Sequence, residues 1–436
     1  MIFEKLKNIW KDVNYPFFQD LNNKELYFNQ IESILIDGIE KINSGDVIAL
    51  IGDFNPNSIA TLIKLLEKGA IVVPLTKETK EQHEYFLRES LAQYIFEENK
   101  LIKSLSQSQI KHQLLDNLRH KKHPGLILFT TGTTGKPKAI LHDFIPFIER
   151  YKTPRPPLKA LSFLLFDHIG GLNTLFHMLF NQGQVVSIKE RTLDNVINAI
   201  NKYSIELLPT TPTFLRMMSF YHNIEKQISD SLKIISYGTE RMDQPTLDRL
   251  CKQFPTIDFR QTYGMSELGI LRIKSKARDS LFMKVGGEGV ETKIVDSILY
   301  IKAKNRMLGY LNSSSPFNSN NWYCTKDIVE LSDDNYIRIT GRDSDAINVG
   351  GLKFMPSEIE IECLKNQEVK YAKAIGKENP ITGEHVELYI ESRKNNNHKQ
   401  LKESIMAHLK EVLPKHMLPS RIKFQTAKVS HRFKKL

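Results

Sequence analysis

Residues 129–138 read Phe-Thr-Thr-Gly-Thr-Thr-Gly-Lys-Pro-Lys and directly continue the apolar run Leu-Ile-Leu-Phe at 126–129. The run predicts a buried strand, and the loop after it offers threonine hydroxyls, backbone N–H groups and lysine charges to a polyanion. Glycine also lets the backbone approach a phosphate group closely. A polar surface turn is the alternative interpretation, but the density of hydroxyls beside the lysines favours a phosphate-binding loop.

The loop differs from the Walker-type phosphate loop, whose pattern is G-x-x-x-x-G-K-[ST]. Thr130 stands where the first glycine of that pattern would be, upstream of Gly135. Pro137 follows Lys136, so the position that would supply a hydroxyl to Mg²⁺ has none. The sequence therefore argues against a kinase- or GTPase-type site.

The composition is typical of a soluble globular protein, with 436 residues of which 41% are hydrophobic and 25% charged. This length suffices for two or three domains. No apolar run approaches the roughly 18 residues that a membrane span needs, and the first residues lack the apolar segment of a secretory signal. The cysteines, Cys251, Cys324 and Cys363, are far apart and odd in number. They predict reduced thiols in a cytoplasmic protein rather than a disulfide framework or a zinc site.

The net charge of +11 raises the question of a nucleic-acid partner. The lysines and arginines are dispersed, however, and no nucleic-acid-binding motif accompanies them. A polyanionic small ligand, or an acidic protein partner such as an acyl carrier protein, accounts for the charge equally well. We therefore expect no nucleic-acid partner and leave both of the other partners open.

The pattern of apolar residues predicts alternating strands and helices. A short apolar run at 46–52, helical spacing at 56–68 and a second apolar run at 70–75 predict a strand, a helix and a parallel strand. The alternation recurs at residues 161–166, 184–188, 192–202, 205–208 and 234–238.

From about residue 285 the pattern changes to short extended segments separated by turns, which predicts a β-rich subdomain. Amphipathic helices then begin at Pro356 and cover residues 399–413, within a compact mixed unit. The predicted fold class is α/β. A large N-terminal domain of packed α/β subdomains and the β-rich subdomain would occupy residues 1–343, and a small α+β C-terminal domain would occupy residues 344–436.

The loop at residues 129–138 resembles the phosphate-binding signature T-S-G-T-T-G-x-P-K-G of the adenylate-forming superfamily, which includes acyl- and aryl-CoA synthetases, peptide-synthetase adenylation domains and luciferases. Residues 65–75 resemble the superfamily's L-x-x-G-A-x-x-V-P-L segment, and further motifs follow in the superfamily's order over nearly the whole chain. The resemblance implies ATP, Mg²⁺ carried with it, and a C-terminal domain that is mobile. It assigns a catalytic role to Lys138 and nucleotide contacts to Thr130, Thr131, Gly132, Thr133, Thr134 and Gly135.

Residues 260–267 resemble the Y-G-x-T-E motif, with Ser266 in the place of the threonine. An aromatic ring can lie against a purine, and a carboxylate a few residues later can hold Mg²⁺ beside the phosphates. By the resemblance, Tyr263 packs on adenine, Glu267 binds Mg²⁺ and Ser266 contacts the α-phosphate. The resemblance also assigns nucleotide contacts to Gly264 and, in the segment that replaces the superfamily's glycine-rich adenine-binding turn, to Gly238 and Thr239.

Two further motifs resemble those that hold the ribose. Residues 322–327 resemble W-x-x-T-G-D, which implies that Asp327 accepts hydrogen bonds from both ribose hydroxyls. Lys326 replaces the glycine of that motif. Residues 341–351 resemble G-R-x-D-D-x-I-x-x-x-G, which implies that Arg342 contacts the ribose or a phosphate.

The same motif carries the superfamily's hinge and part of its thiol site. The hinge residue, usually Asp or Lys, falls on Ser344, and Asp345 follows one place later. The hinge is therefore Ser344, or its role has moved to a neighbour. By the resemblance, Gly350, Gly351 and Lys353 line the entrance for a thiol substrate.

Residues 426–432 resemble T-G-K-[LIV]-x-x-R, with Ala427 in the place of the glycine. By the resemblance, Lys428 is a mobile catalytic lysine that bridges the substrate carboxylate and the α-phosphate while negative charge develops there. Other lysines of this tail remain alternatives for that role: Lys423, Lys434 and Lys435.

Residues 166–172 resemble the F-H-x-x-G-L stretch of the acid pocket, which implies substrate contacts from His168, Ile169 and Gly171. Members that activate amino acids place an aspartate directly after that histidine, where this chain has Ile169. An apolar side chain cannot pair with an ammonium group, so an amino-acid substrate is disfavoured. If the register of this resemblance is shifted by one residue, Asp167 takes the place of that aspartate, and the argument against an amino-acid substrate no longer holds.

The resemblance implies a ligase that works in two steps. A small carboxylic acid, acyl or aryl, attacks the α-phosphorus of ATP to give an acyl-adenylate and pyrophosphate, and a thiol then displaces AMP. The thiol would belong to coenzyme A or to the phosphopantetheine of a carrier protein. One alternative is therefore an acyl-AMP ligase that loads an acyl carrier protein. The other is a catalytically silent nucleotide-binding paralogue with a regulatory role. The substitutions at Ser344, Lys326 and Ala427 permit it, and the intact charged site residues argue against it.

Overall fold

The computed structural model describes residues 2–20, 22–105, 110–130, 136–393 and 398–427. Its α-helices are, in chain order, α1 Ile2–Trp10, α2 Pro56–Glu67, α3 His83–Ser90, α4 Gln113–Lys121, α5 Phe144–Ile148, α6 Ile169–Phe180, α7 Leu193–Tyr203, α8 Pro212–Ser219, α9 Ile224–Gln227, α10 Gln244–Gln253, α11 Pro356–Leu364 and α12 His398–Val412. No helix within these ranges has the length and apolar character needed to cross a membrane.

The β-strands are, in chain order, β1 Phe18–Asp20, β2 Glu25–Leu26, β3 Val47–Ile51, β4 Ile71–Leu75, β5 Tyr94–Glu97, β6 Lys100–Ser104, β7 Gly125–Phe129, β8 Ala139–Asp143, β9 Lys159–Leu161, β10 Gln184–Ser187, β11 Leu207–Thr210, β12 Ile234–Tyr237, β13 Asp258–Gln261, β14 Tyr263–Met265, β15 Gly269–Ser275, β16 Met283–Gly286, β17 Val290–Val295, β18 Ile298–Ala303, β19 Gly309–Tyr310, β20 Tyr323–Leu331, β21 Ile337–Arg342, β22 Ile347–Val349, β23 Leu352–Phe354, β24 Val369–Asn379, β25 Gly383–Ser392 and β26 Arg421–Phe424.

A strand–helix–strand unit builds the sheet behind the predicted phosphate loop. The elements β3, α2 and β4 occupy the predicted positions, and β3 pairs in parallel with β4 along its whole length. The side-chain oxygen of Asn55 accepts a hydrogen bond from Ser58 N at 2.9 Å, which caps the start of α2. Gly69, with a φ of +79°, follows its end. The predicted parallel crossover is therefore confirmed.

Two sheets carry most of the parallel strands. Their strand orders are β19-β8-β7-β4-β3-β5-β6 and β13-β12-β11-β9-β10-β1-β2. In the first, β7 and β8 are antiparallel, and the segment between them contains the predicted phosphate loop. In the second, β11, β12 and β13 are parallel and end at one edge of the sheet. Parallel sheets bind ligands beyond the carboxyl ends of their strands, so this edge is where a site is expected.

A third sheet corresponds to the predicted β-rich subdomain. Its order is β14-β15-β16-β21-β20-β18-β17, and the pairings recorded within it are antiparallel. The sheet begins at Tyr263, earlier than the predicted start near residue 285. β14 spans only 3 residues, which are too few to show an alternation in the sequence, whereas the alternation Leu-Arg-Ile-Lys at 271–274 in β15 was a signal of the earlier start.

A fourth sheet, formed by residues 347–424, has its own core. Its order is β23-β22-β25-β24, with β26 parallel to β25. Helices α11 and α12 contribute Ile359, Ile405 and Leu409 to the apolar cluster of this unit. The mixed unit has the predicted α+β character. The domain boundary near residue 343 and the mobility of this unit stay predictions.

Polar contacts join the fourth-sheet unit to the rest of the chain. The carbonyl of Thr340 accepts hydrogen bonds from Arg241 Nη1 at 2.6 Å and from Ser357 Oγ, in α11, at 3.0 Å. Burial lowers the pKa of Arg241, and the carboxylate of Glu360 in α11 opposes that shift. A negative charge of α11 therefore faces a positive charge that precedes α10.

A second contact between these parts surrounds one aromatic ring. The guanidinium carbons of Arg249 and Arg393 lie 4.2 and 4.6 Å from the ring centroid of Phe220. Burial lowers the pKa of Arg249, and the nearby charge of Arg393 lowers it further. Two like charges therefore meet at the place where the fourth-sheet unit touches α10.

Lys326 interrupts β20 with an unusual backbone conformation. Its φ is +60°, in the left-handed region, which strains a residue with a side chain by about 1–2 kcal/mol. The pairing of β20 with both neighbouring strands shifts register around this position, as at a β-bulge. The shift against β18 falls between Cys324 and Ile328, and the shift against β21 falls between Ile328 and Val329, so the buried Asp327 lies within the irregular segment. The backbone here thus has the conformation that glycine adopts without strain, and glycine is the superfamily's residue at this place.

We predict that the Lys326→Gly variant is more stable than the wild type by about 0.5–1 kcal/mol. Relief of the left-handed strain outweighs the greater entropy of a glycine in the unfolded chain. Urea unfolding followed by circular dichroism measures the difference. The control is Lys274→Gly in β15, an exposed position with negative φ, where glycine should destabilise by about 0.5–1 kcal/mol. A Lys326→Gly variant no more stable than the wild type would contradict the strain.

Candidate active site

Hydrogen bonds close the base of the predicted phosphate loop. Thr130 N donates to Lys138 O at 3.2 Å, and Lys138 N donates to Thr130 Oγ1 at 3.1 Å. Tyr85 Oη and the side-chain amide of Asn312 donate to the carbonyl of Pro137 at 2.8 and 3.2 Å. The remaining predicted phosphate-contacting residues lie outside the described part of the chain, and their contacts stay predictions: Thr131, Gly132, Thr133, Thr134 and Gly135.

Lys138 and Glu267, both predicted as catalytic, contact the same tyrosine. Tyr310 Oη donates a hydrogen bond to Glu267 Oε1 at 2.7 Å, and Lys138 Nζ lies 4.7 Å from the centroid of the Tyr310 ring. Glu267 and Tyr310 are both buried. Burial and the carboxylate of Glu267 raise the pKa of Tyr310, so its phenol is a neutral donor. The structure thus brings two separate motifs together through a residue that the sequence did not single out.

Three predicted nucleotide-binding residues form one hydrogen-bonded group. Asp327 Oδ2 accepts from Tyr263 Oη at 2.6 Å, and Asp327 Oδ1 accepts from Arg342 Nε at 2.9 Å. The backbone N–H of Asp327 donates to Thr325 Oγ1 at 3.0 Å. Burial and the neighbouring carboxylate raise the pKa of Tyr263 well above its usual value. The carboxylate of Asp327 is therefore fixed in position by donors from two other motifs.

The two segments predicted to bind adenine lie side by side. They follow β12 and β13, which are parallel neighbours. Gly238 approaches Thr262 so closely that an added Cβ would lie 2.1 Å from Thr262 Oγ1. Thr239 has a φ of +69°, a conformation uncommon for residues other than glycine. The close approach accounts for the glycine at 238, and the contact of this turn with adenine stays a prediction.

A buried histidine anchors the backbone of the Tyr-Gly-x-Ser-Glu segment. The ring of His142, in β8, is 1% exposed, and its Nε2 lies 2.7 Å from the carbonyl oxygen of Ser266. Because the carbonyl can only accept, Nε2 carries the hydrogen in this bond. Burial lowers the pKa of His142 to about 4, although the bond to Ser266 opposes the shift. The neutral ring therefore ties the strand that follows Lys138 to the residue that precedes Glu267.

We predict that His142 makes the protein less stable as the pH falls from 7 to 5. In the unfolded chain the pKa of a histidine is about 6.5, so the unfolded state binds a proton that the folded state, with a pKa of about 4, excludes. Stability therefore rises with pH between these two values. The loss from pH 7 to pH 5 should be about 2 kcal/mol larger in the wild type than in the His142→Gln variant, whose amide donates without titrating.

Urea unfolding at both pH values measures the effect of His142. The matched control is His120→Gln, which changes an exposed histidine of α4 and should leave the pH dependence as in the wild type. Equal losses in the wild type and in His142→Gln would contradict a neutral, buried His142.

The predicted acid-pocket residues have local structural roles. His168 Nδ1 accepts a hydrogen bond from Gly170 N at 3.1 Å and so caps α6. Ile169 is buried. A Cβ added to Gly171 would lie 2.0 Å from the carbonyl oxygen of Leu165, so no larger residue fits there. These roles fix the start of α6, and substrate contacts from His168, Ile169 and Gly171 stay predictions.

The predicted thiol-site residues lie on a turn of the fourth sheet. Gly350 and Gly351 join β22 to β23 with φ values of +62° and +86°, and a Cβ added to either would meet no atom within 4 Å. Lys353 is exposed on β23. Within the described ranges, no hydrogen bond or ion pair joins these residues to Glu267 or to Asp327. The role of Gly350, Gly351 and Lys353 toward a thiol stays a prediction.

The structure describes the predicted hinge residue, whereas the predicted catalytic lysine lies outside the described residues. Ser344 is exposed in the short 3₁₀ helix Asp343–Asp345, directly after Arg342. Lys428 lies outside the described residues, as do Lys434 and Lys435. Lys423, the remaining alternative, pairs with Glu387 at 2.8 Å. The ammonium group of Lys423 is therefore engaged with a carboxylate of its own sheet. The assignment of the catalytic role to Lys428 stays a prediction.

Comparison with known proteins gives a match over most of the chain. A family model described as "AMP-binding enzyme" matches residues 34–311. The 2-succinylbenzoate–CoA ligase of Bacillus velezensis is 24% identical over 420 residues, which are 87% of this chain and 84% of that protein. Bacitracin synthase 2 of Bacillus licheniformis is 23% identical over 457 residues, or 92% of this chain. The chain spans only 17% of the length of that synthase.

Solved structures resemble the whole chain. The anthranilate CoA ligase AuaEII in complex with anthranoyl-AMP matches with a TM-score of 0.82 and 16% identity, covering 99% of this chain and 95% of that one. The o-succinylbenzoate CoA synthetase MenE of Bacillus subtilis, in complex with its acyl-adenylate, matches with a TM-score of 0.75 and 17% identity, covering 99% and 96%. These likenesses confirm the predicted fold class.

Proposed function

This chain belongs to the family of AMP-binding enzymes, and from that premise we propose that it is an ATP-dependent acid–thiol ligase. It activates a carboxylic acid as an acyl-adenylate and transfers the acyl group to coenzyme A. The observation that carries the proposal is the group formed by Tyr263, Asp327 and Arg342. Three motifs that are separate in the sequence meet there, as a site for one nucleotide requires.

The first step forms a bond between a carboxylate oxygen of the acid and the α-phosphorus of ATP, and pyrophosphate leaves. Such chemistry needs chiefly positioning and the stabilisation of charge. Asp327 would hold the ribose hydroxyls, and Arg342 would contact the ribose or a phosphate. Lys138 and Lys428 would supply positive charge to the phosphates and to the substrate carboxylate.

Glu267 fits the needs of a magnesium ion bound with ATP. Magnesium is usually held in such sites by one or two carboxylates together with phosphate oxygens and water. Glu267 supplies a carboxylate that accepts a hydrogen bond from Tyr310, and the ring of Tyr310 lies beside Lys138. Bound there, Mg²⁺ would neutralise part of the charge on the phosphates.

The second step forms a bond between the thiol sulfur and the acyl carbon, and AMP leaves. The turn at Gly350 and Gly351, with Lys353 beside it, would line the entrance for the thiol. No hydrogen bond or ion pair joins this turn to Glu267 or Asp327 in the described residues. By the resemblance, the fourth-sheet unit would rotate about the hinge near Ser344 between the steps, to present first Lys428 and then this turn. Coenzyme A is the proposed acceptor, and the net charge of +11 also suits an acidic carrier protein.

An aryl or acyl carboxylic acid is the proposed substrate. The names of the ligases reported above refer to succinylbenzoate and anthranilate, both of which are aromatic acids. The buried apolar Ile169 beside His168 disfavours recognition of an ammonium group at that position.

Pyrophosphate release from ATP tests the proposed function. A panel of aryl, acyl and amino acids is supplied with ATP and Mg²⁺, with and without coenzyme A. A parallel set contains a phosphopantetheine-loaded acyl carrier protein. We expect pyrophosphate with an aryl or acyl acid, and a thioester when coenzyme A is added. Reactions without an acid are the control for hydrolysis of ATP.

The same assay separates the alternatives. A thioester formed only on the carrier protein would identify an acyl-AMP ligase that loads such a protein. Binding of ATP without pyrophosphate release for any acid would favour the regulatory paralogue. Failure to bind ATP at millimolar concentration would contradict the proposal as a whole.

A further inference from the structure

We propose that Tyr310 is a positioning residue of the adenylation step, which sets the place of the Glu267 carboxylate and of the Lys138 ammonium group with one side chain. The inference rests on the proposed function and deepens it. The hydroxyl of Tyr310 would aim the carboxylate at the metal ion, and its ring would hold the lysine beside the phosphates.

Residues 307–310 donate two hydrogen bonds to Glu267. Tyr310 Oη donates to Glu267 Oε1 at 2.7 Å, and Met307 N donates to the backbone carbonyl of Glu267 at 2.8 Å. Both ends of the glutamate are therefore bound to residues 307–310. Because Glu267 is buried, the hydroxyl acts where little water competes for the carboxylate.

The position of Tyr310 is fixed by the strand that follows Lys138. Tyr310 belongs to β19, which pairs with β8 through Ile140 and Leu141. The flanking N–H groups of Leu308 and Leu311 donate to carbonyls of β8 at 2.8 and 2.9 Å. The segment that orients Glu267 is thus attached to the strand that begins directly after the predicted phosphate loop.

The contact with Lys138 uses the face of the ring. Lys138 Nζ lies 4.7 Å from the ring centroid, within the range of a cation–π interaction. Lys138 is exposed, so its long side chain would otherwise sample many rotamers. The ring restricts those rotamers, while the hydroxyl at the far end of the same ring binds the carboxylate.

The Tyr310→Phe variant separates the two contacts, because it keeps the ring beside Lys138 and removes only the donor to Glu267. The Tyr310→Leu variant removes both. The matched control is Tyr203→Phe. Tyr203 is equally buried, donates to Asn23 Oδ1 at 3.0 Å and has Lys202 Nζ 5.0 Å from its ring centroid, away from the proposed site.

Binding of ATP by calorimetry, with Mg²⁺ and with EDTA, is measured beside the rate of pyrophosphate release. For Tyr310→Phe we expect a rate about 10- to 100-fold lower, because a hydrogen bond to a charged group contributes about that factor. We also expect a higher Mg²⁺ requirement and unchanged ATP affinity in EDTA. Tyr310→Leu should in addition bind ATP more weakly in EDTA, because Lys138 is released. Tyr203→Phe should match the wild type in all three measurements.

Two results would overturn the positioning role. One is a Tyr310→Phe protein with the wild-type rate and the wild-type Mg²⁺ requirement. The other is an equal loss when Tyr310→Phe is made in the Glu267→Gln background, since the hydroxyl should have little further effect once the carboxylate is gone. The binding measurements also distinguish this inference from the proposed function. If no acid supports pyrophosphate release, a Mg²⁺-dependent difference in ATP binding between wild type and Tyr310→Phe still supports the orientation of Glu267.

Discussion

The Lys428→Ala variant is expected to release pyrophosphate about 10²- to 10³-fold more slowly than the wild type, with a much smaller change in its affinity for ATP. The sequence assigns Lys428 to the bridge between the substrate carboxylate and the α-phosphate. Removal of a donor aimed at charge that develops in the transition state typically costs a factor of this size. Because that charge is absent from bound ATP itself, binding should change little. The measurement is acid-dependent pyrophosphate release beside ATP calorimetry.

Two comparisons make the test of Lys428 specific. Lys423→Ala removes a lysine of the same tail that pairs with Glu387, and it should leave the rate of pyrophosphate release unchanged. If the preformed acyl-adenylate and coenzyme A are supplied instead, Lys428→Ala should form the thioester at close to the wild-type rate, because the second step is assigned to the turn at Gly350. Unchanged pyrophosphate release in Lys428→Ala would exclude the assignment, and loss in a Lys434→Ala variant would transfer it.

The Asp327→Ala variant is expected to bind ATP at least tenfold more weakly. A hydrogen bond from a ribose hydroxyl to a fixed carboxylate contributes about 1.5–3 kcal/mol. The variant also removes the acceptor of Tyr263 Oη and of Arg342 Nε. The wild type should therefore prefer ATP to 2′,3′-dideoxy-ATP, and the variant should bind both nucleotides with similar affinity.

The loss of discrimination separates ribose recognition from damage to the fold. Asp116→Ala is the matched control, since Asp116 pairs with Arg119 at 2.8 Å in α4 and lies in none of the predicted motifs. It should retain the wild-type preference for ATP. If Asp327→Ala still discriminates between the two nucleotides as the wild type does, Asp327 does not bind the ribose.

The core of the fold was predictable because its strands are buried on both faces. The apolar run Val-Ile-Ala-Leu-Ile at 47–51 is followed by helical spacing and by a second apolar run. These three segments correspond to β3, α2 and β4 in the structure. The apolar run at 161–166 was less informative. Only Leu161 belongs to a strand, while Phe163 and Phe166 are buried in irregular backbone. Apolar character predicts burial, whereas strand length depends on pairing with neighbours that the sequence does not reveal.

The residues of the site were predictable where they stand in a motif. Tyr263, Asp327 and Arg342 were each predicted from the resemblance, and in the structure Tyr263 and Arg342 each donate a hydrogen bond to Asp327. Their roles toward a nucleotide stay predictions. Glu267 and Lys138 were likewise predicted from two separate motifs. Nothing in the sequence indicated that the side chain of Tyr310 would contact both.

Tyr310 and His142 were missed for a physical reason. His142 acts through a hydrogen bond to Ser266, 124 positions later in the sequence, and Tyr310 acts through one to Glu267, 43 positions earlier. The ring of Tyr310 also contacts Lys138, in a third segment of the chain. His142 follows the apolar run Ala-Ile-Leu of β8 and precedes Asp143, and Tyr310 lies in a strand of 2 residues. Neither surrounding shows a periodic pattern. Contacts of this kind are set by the packing of the sheets, and a buried polar residue within an apolar strand is the one signal that could have indicated His142.

Because Arg249 and Arg393 both lie against Phe220, the salt concentration should affect how firmly the fourth-sheet unit is held against α10. Repulsion between the half-buried Arg249 and the exposed Arg393 is partly screened by dissolved ions, over about 8 Å at physiological ionic strength, whereas the attraction between the more deeply buried Arg241 and Glu360 is screened less. Added salt therefore weakens the unfavourable contribution more than the favourable one. Potassium chloride should accordingly hold this unit more firmly against α10, the reverse of what a contact built on exposed ion pairs would do.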